Sequence, residues 1–166
     1  MHWQSDGNYL AVLLDQSSER HPSAYINIAI FELKKPHIPV EFFEFERESK
    51  IVAFAWEPKG HRFGVIQGGY NPSINFYTIK GGPENCSRRK LSTLASTKEK
   101  FLFWSPGGRF IVIVGLTPYS GELTFYDVDL LQVLATKKTM AMNIQWNPTG
   151  RFVATRCPPF SKKKMD

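Results

Sequence analysis

A short motif of Trp, Pro and Gly recurs four times along this chain of 166 residues, and it constrains the fold more than any other feature. Intervals of 53, 48 and 42 positions separate the Trp residues of the motif, which are Trp3, Trp56, Trp104 and Trp146. Intervals of this length are typical of one four-stranded blade of a β-propeller. The chain is therefore interpreted as a series of blades, with units starting near each Trp.

Three copies of the motif carry Pro two positions and Gly four positions after the Trp. These residues are Pro58, Pro106 and Pro148, followed by Gly60, Gly108 and Gly150. The first copy, residues 3–7, has Ser in place of Pro. Pro in the second and Gly in the fourth position favour a type I turn. Each copy thus predicts a hairpin turn, with a Trp at the end of the strand before it.

The strands predicted after these turns are almost continuously apolar, as in residues 10–14 and 110–114. A sheet with one solvated face would alternate apolar and polar residues, so this pattern indicates burial on both faces. Third strands are predicted at 24–33, 73–80 and 122–128, and fourth strands at 38–46 and 131–137. The pattern is unclear at 88–97.

The expected fold is all-β, a WD-repeat-like β-propeller with about fourteen strands and with each repeat Trp buried between blades. Residues 1–166 provide about three and a half blades. Because propellers close into rings of typically four to eight blades, we expect the rest of the ring, and any flanking domains, to lie outside this chain.

The net charge of +6 and the pI near 9.4 favour an anionic partner such as RNA, although a solvated basic surface explains them equally well. The basic residues cluster in two runs, each expected in a loop. These candidate contacts to RNA or the ribosome are Arg88, Arg89, Lys90, Lys162, Lys163 and Lys164.

No pattern of catalytic, cofactor-binding or metal-binding residues is found. Cys86 and Cys157 stand far apart, which indicates free thiols in a reducing compartment. The four His residues stand singly and are expected in loops or on the surface: His2, His21, His37 and His61. No apolar run spans a bilayer, and no signal peptide is evident. We expect a cytoplasmic, non-catalytic protein with no cofactor, no membrane association and no small-molecule substrate.

The order of the repeats resembles the propeller of the b subunits of eukaryotic translation initiation factor three. The resemblance extends nearly to Thr155 and is carried by an ordered set of segments: 2–4, 7–10, 30–32, 38–41, 54–60, 103–106, 115–116 and 146–153. Single Trp-x-Pro-x-Gly units are weakly specific, but their order along the chain is strongly so.

The resemblance implies a scaffold subunit whose propeller docks on the small ribosomal subunit, through rRNA and ribosomal proteins, during assembly of the preinitiation complex. Other subunits of the same factor are the further partners it implies. Two alternatives stay open. One is translation initiation factor two A, which carries a related propeller, and the other is a generic WD-repeat adaptor that binds proteins.

Overall fold

The chain folds entirely as β-structure over the part that can be described. A computed structural model describes residues 1–18, 21–45, 51–68, 72–80, 87–95, 101–115, 121–139 and 143–156. Every regular element within these ranges is a strand. The fourteen strands are β1 (His2–Trp3), β2 (Tyr9–Ser18), β3 (His21–Glu32), β4 (Val40–Glu44), β5 (Ile51–Trp56), β6 (Arg62–Gln67), β7 (Ser73–Lys80), β8 (Ser87–Ala95), β9 (Phe101–Trp104), β10 (Phe110–Gly115), β11 (Glu122–Asp127), β12 (Gln132–Lys138), β13 (Asn143–Trp146) and β14 (Val153–Arg156).

The strands form three four-stranded antiparallel sheets and one two-stranded sheet. Neighbouring strands follow the order of the sequence, so that β1–β4, β5–β8 and β9–β12 each make a sheet and β13 pairs with β14. We call these sheets blades 1, 2, 3 and 4. This β-propeller architecture confirms the predicted fold class, and the first strand of each described sheet ends at a Trp of the repeat.

Each repeat Trp occupies the same place in the sheet register. It is the last residue of the first strand of its blade, and its partner lies at the start of the second strand. The Cα partners are Trp3 with Leu10, Trp56 with Phe63, Trp104 with Ile111, and Trp146 with Val153. The sequence repeat is therefore a repeat of strand register as well as of turns.

The core lies between successive blades, in three clusters. One joins blades 1 and 2 around Phe43 and Phe63, the next joins blades 2 and 3 around Phe76 and Tyr126, and the third lies between blades 3 and 4. Strand β10 shows why its sequence is continuously apolar. Its residues 111 and 113 belong to the second cluster, whereas residues 112 and 114 belong to the third. Both faces of the strand are buried, as predicted.

The Trp side chains dock on the preceding blade. The indole N–H donates to a backbone carbonyl there, from Trp56 to His2 (2.9 Å) and from Trp104 to Ala55 (3.2 Å). A third bond of this kind joins Trp146 to Phe103 (2.9 Å). Trp56 and Trp104 are buried as predicted, and Trp146 is half-buried.

The prediction of a buried Trp3 is wrong for this chain, because Trp3 is 63% exposed. The physical reason follows from the docking geometry. Each buried Trp is covered by the blade that precedes it, and blade 1 has no described sheet on that side.

Candidate partner-binding face

One end of the propeller collects the turns that carry the repeat motif. Because neighbouring strands are antiparallel, the first-to-second and third-to-fourth strand turns of every blade lie at the same end of the sheets. The first set comprises residues 4–8, 57–61, 105–109 and 147–152, and the described turns of the second set comprise 33–39 and 128–131. We call this end the turn face.

In blades 3 and 4 the first residue of the motif turn organises the turn with its side chain. In blades 3 and 4 the Gly N–H donates to the carbonyl three residues earlier, from Gly108 to Ser105 and from Gly150 to Asn147, both at 2.9 Å. The Ser105 hydroxyl accepts from the N–H of Phe110, and the Asn147 side chain accepts from that of Phe152. The predicted hairpin turns and their capping residues are confirmed here.

Successive turns also interlock between blades. The Gln4 side-chain amide of blade 1 donates to the carbonyls of Glu57 and Gly60 in blade 2, both at 3.0 Å. The Glu57 carboxylate in turn lies against blade 3, where a Cβ on Gly108 would stand 2.7 Å from its Oε1. Gly108 adopts a φ of +91°, so both its backbone conformation and this close approach require glycine.

A group of charged residues joins blades 2 and 3 at the turn face. Arg62 donates from Nη2 to Oε1 of Glu57 (2.6 Å) and from Nε to its Oε2 (3.1 Å). Its Nη1 donates to Oδ1 of Asp129 in blade 3 (2.5 Å). The hydrogen bond to Glu57, with smaller contributions from Asp129, raises the pKa of the Arg62 guanidinium. Arg62 is therefore a permanent cation that links carboxylates of two blades.

Blade 3 contains a second ion pair beside the first. Arg109 donates from Nε (2.9 Å) and Nη2 (2.7 Å) to Oδ2 of Asp127, which is buried. Oδ1 of Asp127 accepts from the backbone N–H groups of Asp129 and Leu130. The hydrogen bonds from Arg109 are the largest cause that lowers the pKa of the Asp127 carboxyl, with the two backbone bonds adding to them.

The sequence analysis did not predict the link from Glu57 through Arg62 to Asp129. The one available signal was Glu57 itself. It occupies the first turn position, where the other motif turns of blades 3 and 4 have the uncharged residues Ser105 and Asn147.

The predicted basic contacts do not lie in a described loop. Arg88, Arg89 and Lys90 belong to β8, where they pair with Ile79, Thr78 and Tyr77 of β7. The expectation of a loop was wrong because this polar stretch is paired as an outer strand despite its lack of an alternating pattern. Lys90 is exposed. Lys162, Lys163 and Lys164, like Cys86 and Cys157, lie outside the described residues.

The His residues differ in their environments. His61, in a motif turn, has Nδ1 at 3.0 Å from the hydroxyl of Tyr9, and His37 is exposed in the turn after β3. His2 and His21 lie on strands instead of in loops. Burial is the larger cause that lowers the pKa of His2, and the nearby N-terminal charge adds to it. Across the described ranges, no three His, Cys, Asp or Glu side chains are arranged to hold a metal ion.

None of the elements described is a helix long and apolar enough to cross a bilayer.

Solved structures support the architecture. The chain superimposes on a crystal structure described as a eukaryotic initiation factor with a TM-score of 0.71 and 18% identity, over 94% of this chain and 35% of the other. It also superimposes on the β-propeller domain of the trilobed protease from Pyrococcus furiosus, with a TM-score of 0.62 and 17% identity over 84% and 42% of the two chains. At these identities the likeness shows the fold alone.

Sequence comparison adds the family. The chain is 44% identical over 136 residues to the b subunit of eukaryotic translation initiation factor 3 from Arabidopsis thaliana, a match that covers 81% of this chain and 19% of that protein. It is 39% identical over 162 residues to the b subunit from Nicotiana tabacum, covering 93% and 22%. The chain thus spans about a fifth of the length of these relatives.

Residues 1–164 match the sequence model of a family described as eukaryotic translation initiation factor eIF2A. The match covers nearly the whole chain, and the two plant relatives confirm the resemblance that the ordered repeats indicate. The chain therefore belongs to the eukaryotic translation initiation factor eIF2A family, and it is homologous to a stretch of the b subunit of initiation factor 3.

Proposed function

We propose that this chain is part of the propeller of a translation initiation factor subunit that docks on the small ribosomal subunit as a non-catalytic scaffold in the cytoplasm. The observation that carries the proposal is the identity of 44% and 39% to proteins named as the b subunit of initiation factor 3. The partners would be rRNA, ribosomal proteins and other subunits of that factor, with no cofactor or small-molecule substrate. The remaining blades of the ring would come from sequence outside residues 1–166.

The net charge of +6 supports a contact with the phosphate-rich ribosomal surface, because cations that neutralise phosphates supply affinity without reading sequence. Arg88, Arg89 and Lys90 stay candidates, now as residues of β8 at the outer edge of blade 2. Lys162, Lys163 and Lys164 stay the second candidate cluster.

The test is sedimentation of the full-length protein with purified small ribosomal subunits over a series of salt concentrations. We expect co-sedimentation that weakens steeply with salt and weakens further when Arg88, Arg89 and Lys90 are all changed to Ala. The matched control changes three exposed cations of β12 and β14 to Ala: Lys137, Lys138 and Arg156. An equal loss of co-sedimentation in both triple variants would show that Arg88, Arg89 and Lys90 have no specific role in binding.

Salt-independent binding would remove the phosphate contribution from the proposal. No association under any condition, even with the other factor subunits present, would refute the ribosomal assignment. The same comparison with Lys162, Lys163 and Lys164 changed to Ala tests the second cluster separately.

A second candidate function has one observation in its favour, since the matching family carries the name of factor eIF2A. Native purification separates the two. A subunit of initiation factor 3 would elute in a large complex with other subunits of that factor, whereas the alternative would elute without them.

A further inference from the structure

A groove of about 510 Å³ opens at the turn face between blades 2 and 3. This volume lies within the roughly 300–1,000 Å³ that is usual for ligand-binding clefts. Its lining combines charged residues, at the motif turn of blade 2 and at Asp129, with aliphatic residues on β8 and in the turn after β11. The lining residues are Glu57, Gly60, His61, Arg62, Thr78, Leu91, Val128, Asp129 and Leu131.

Leu131 is held in the groove in a conformation that leucine rarely adopts. Its φ of +55° is in the left-handed region, which favours Gly or Asn. Leu131 is 43% exposed, so burial of this residue is incomplete and offsets only part of the backbone strain. Strained residues of this kind concentrate at functional sites, where the strain is retained because the side chain serves a purpose other than stability.

The groove carries a local negative charge on a protein that is positive overall. Arg62 and Arg109 face three carboxylates, those of Glu57, Asp127 and Asp129. Glu57 and Asp127 are buried, each against one guanidinium, whereas the Asp129 side chain is 48% exposed. The excess negative charge is therefore displayed by Asp129, beside the aliphatic wall.

Most of the Arg62 guanidinium is already engaged within the protein. Its Nε and both Nη atoms already donate to Glu57 and Asp129, and Nη2 also approaches the carbonyl of Gly108 at 3.5 Å. Three carboxylates face two guanidinium groups here, so a phosphate-bearing ligand would add to the excess negative charge, whereas a cationic group would reduce it. The charges thus favour a cationic occupant over a nucleic acid.

We propose that this groove binds an extended segment of a partner protein that presents an aliphatic side chain and, close to it, a Lys or Arg. The aliphatic side chain packs against Leu131, Leu91 and Val128, and the cation pairs with the exposed oxygens of Asp129. This contact goes beyond ribosomal docking, since it is made at the turn face and selects the opposite charge from that of rRNA.

Leu131→Asn gives a test that does not depend on unfolding. Asn is favoured in the left-handed conformation, so the variant is expected to be at least as stable as the wild type while it loses the aliphatic contact. Leu130→Asn is the matched control, because Leu130 is the adjacent leucine, is 58% exposed and does not line the groove. Asp129→Asn removes the charge while keeping an acceptor for Arg62.

The probe is a displayed library of random dodecapeptides, depleted on full-length Leu131→Asn protein and then selected on the full-length wild type. We expect selected peptides that combine an aliphatic residue with Lys or Arg, with affinity about tenfold weaker for Leu131→Asn and unchanged for Leu130→Asn. Asp129→Asn is expected to weaken binding less, and only at low salt.

Selected peptides that are predominantly acidic would overturn the proposal. Peptides that bind Leu131→Asn and the wild type equally would also overturn it. A selection that yields no peptide dependent on Leu131 would do the same, and this is the result expected if another part of the chain occupies the groove. A Leu131→Asn protein less stable than Leu130→Asn would refute the argument from backbone strain.

Discussion

Blade 1 meets blade 2 through aromatic rings, whereas blade 2 meets blade 3 through fewer rings and a group of ion pairs. In the first interface Tyr9 stacks on Trp56 at 5.7 Å, and Phe43 contacts Phe63 edge to face at 5.1 Å. In the second, Phe76 stacks on Tyr126 at 5.1 Å. The turn face adds the link from Glu57 through Arg62 to Asp129 in the second interface alone.

Both interfaces use the same docking bond from a Trp indole to the preceding blade. The repeat therefore sets the spacing of the blades, while the remaining side chains decide which interactions hold each pair together. Apolar contacts are little affected by salt or pH, whereas partly exposed ion pairs depend on both. We expect the two interfaces to respond differently to the same conditions.

The largest effect is expected from Phe63→Ala, which removes a fully buried ring in contact with four others. The loss is about 3–5 kcal/mol of unfolding free energy, from lost burial and the cavity left behind. Denaturant titration of the full-length protein measures it. A loss of unfolding free energy that changes with salt would contradict the prediction that uncharged contacts hold blades 1 and 2 together.

Gly108→Ala is expected to lower the unfolding free energy by less, about 2–4 kcal/mol. Gly108 has a left-handed backbone, and the added Cβ would lie 2.7 Å from the Glu57 carboxylate. Gly7→Ala is the matched control, because Gly7 has a φ of +66° but nothing within 4 Å of the added Cβ. Equal losses in thermal unfolding for the two variants would show that the close approach of Glu57 contributes nothing.

Glu57→Gln tests the ionic link directly, since it preserves the shape of the side chain but removes the charge of a carboxylate that accepts two hydrogen bonds from the Arg62 guanidinium and one from the Arg62 backbone N–H. We expect the unfolding free energy to fall by about 1–2 kcal/mol. The loss is limited to this range because Arg62 keeps its bond to Asp129. The loss is expected to shrink as salt is added, and the effect of Phe63→Ala serves as the salt-independent reference. If the loss of unfolding free energy did not change with salt, Glu57 would stabilise the protein by packing and not by its charge.

The smallest effect concerns pH. Because the folded-state pKa of Asp127 is lowered, its contribution to stability is fully present above the unfolded pKa of about 3.9 and is lost as the pH falls through the lower folded value. We expect the difference in denaturation midpoint between wild type and Asp127→Asn to narrow below about pH 4. A difference that stays constant from pH 6 to pH 3 would exclude this contribution.

The repeat made the blades predictable, because a Trp before a Pro-x-Gly turn determines both a strand end and its register. The burial of β10 on both faces was predictable too, from its continuous apolar run. The polar links between blades were not predictable from the sequence, since they depend on which turns come together when the blades pack side by side. Glu57 contacts Gly108, which is 51 positions away, and no local pattern encodes that distance. Strand β8 was obscured because residues 87–90 are polar throughout.

The docking bond of the Trp residues has a direction. In all three cases the donor belongs to the later blade and the acceptor to the earlier one, from Trp56 to His2, from Trp104 to Ala55 and from Trp146 to Phe103. During synthesis on the ribosome, the acceptor is therefore always made before its donor. The opening strand of each new blade therefore finds the acceptor of its Trp already synthesised, so this bond can form in the order of translation.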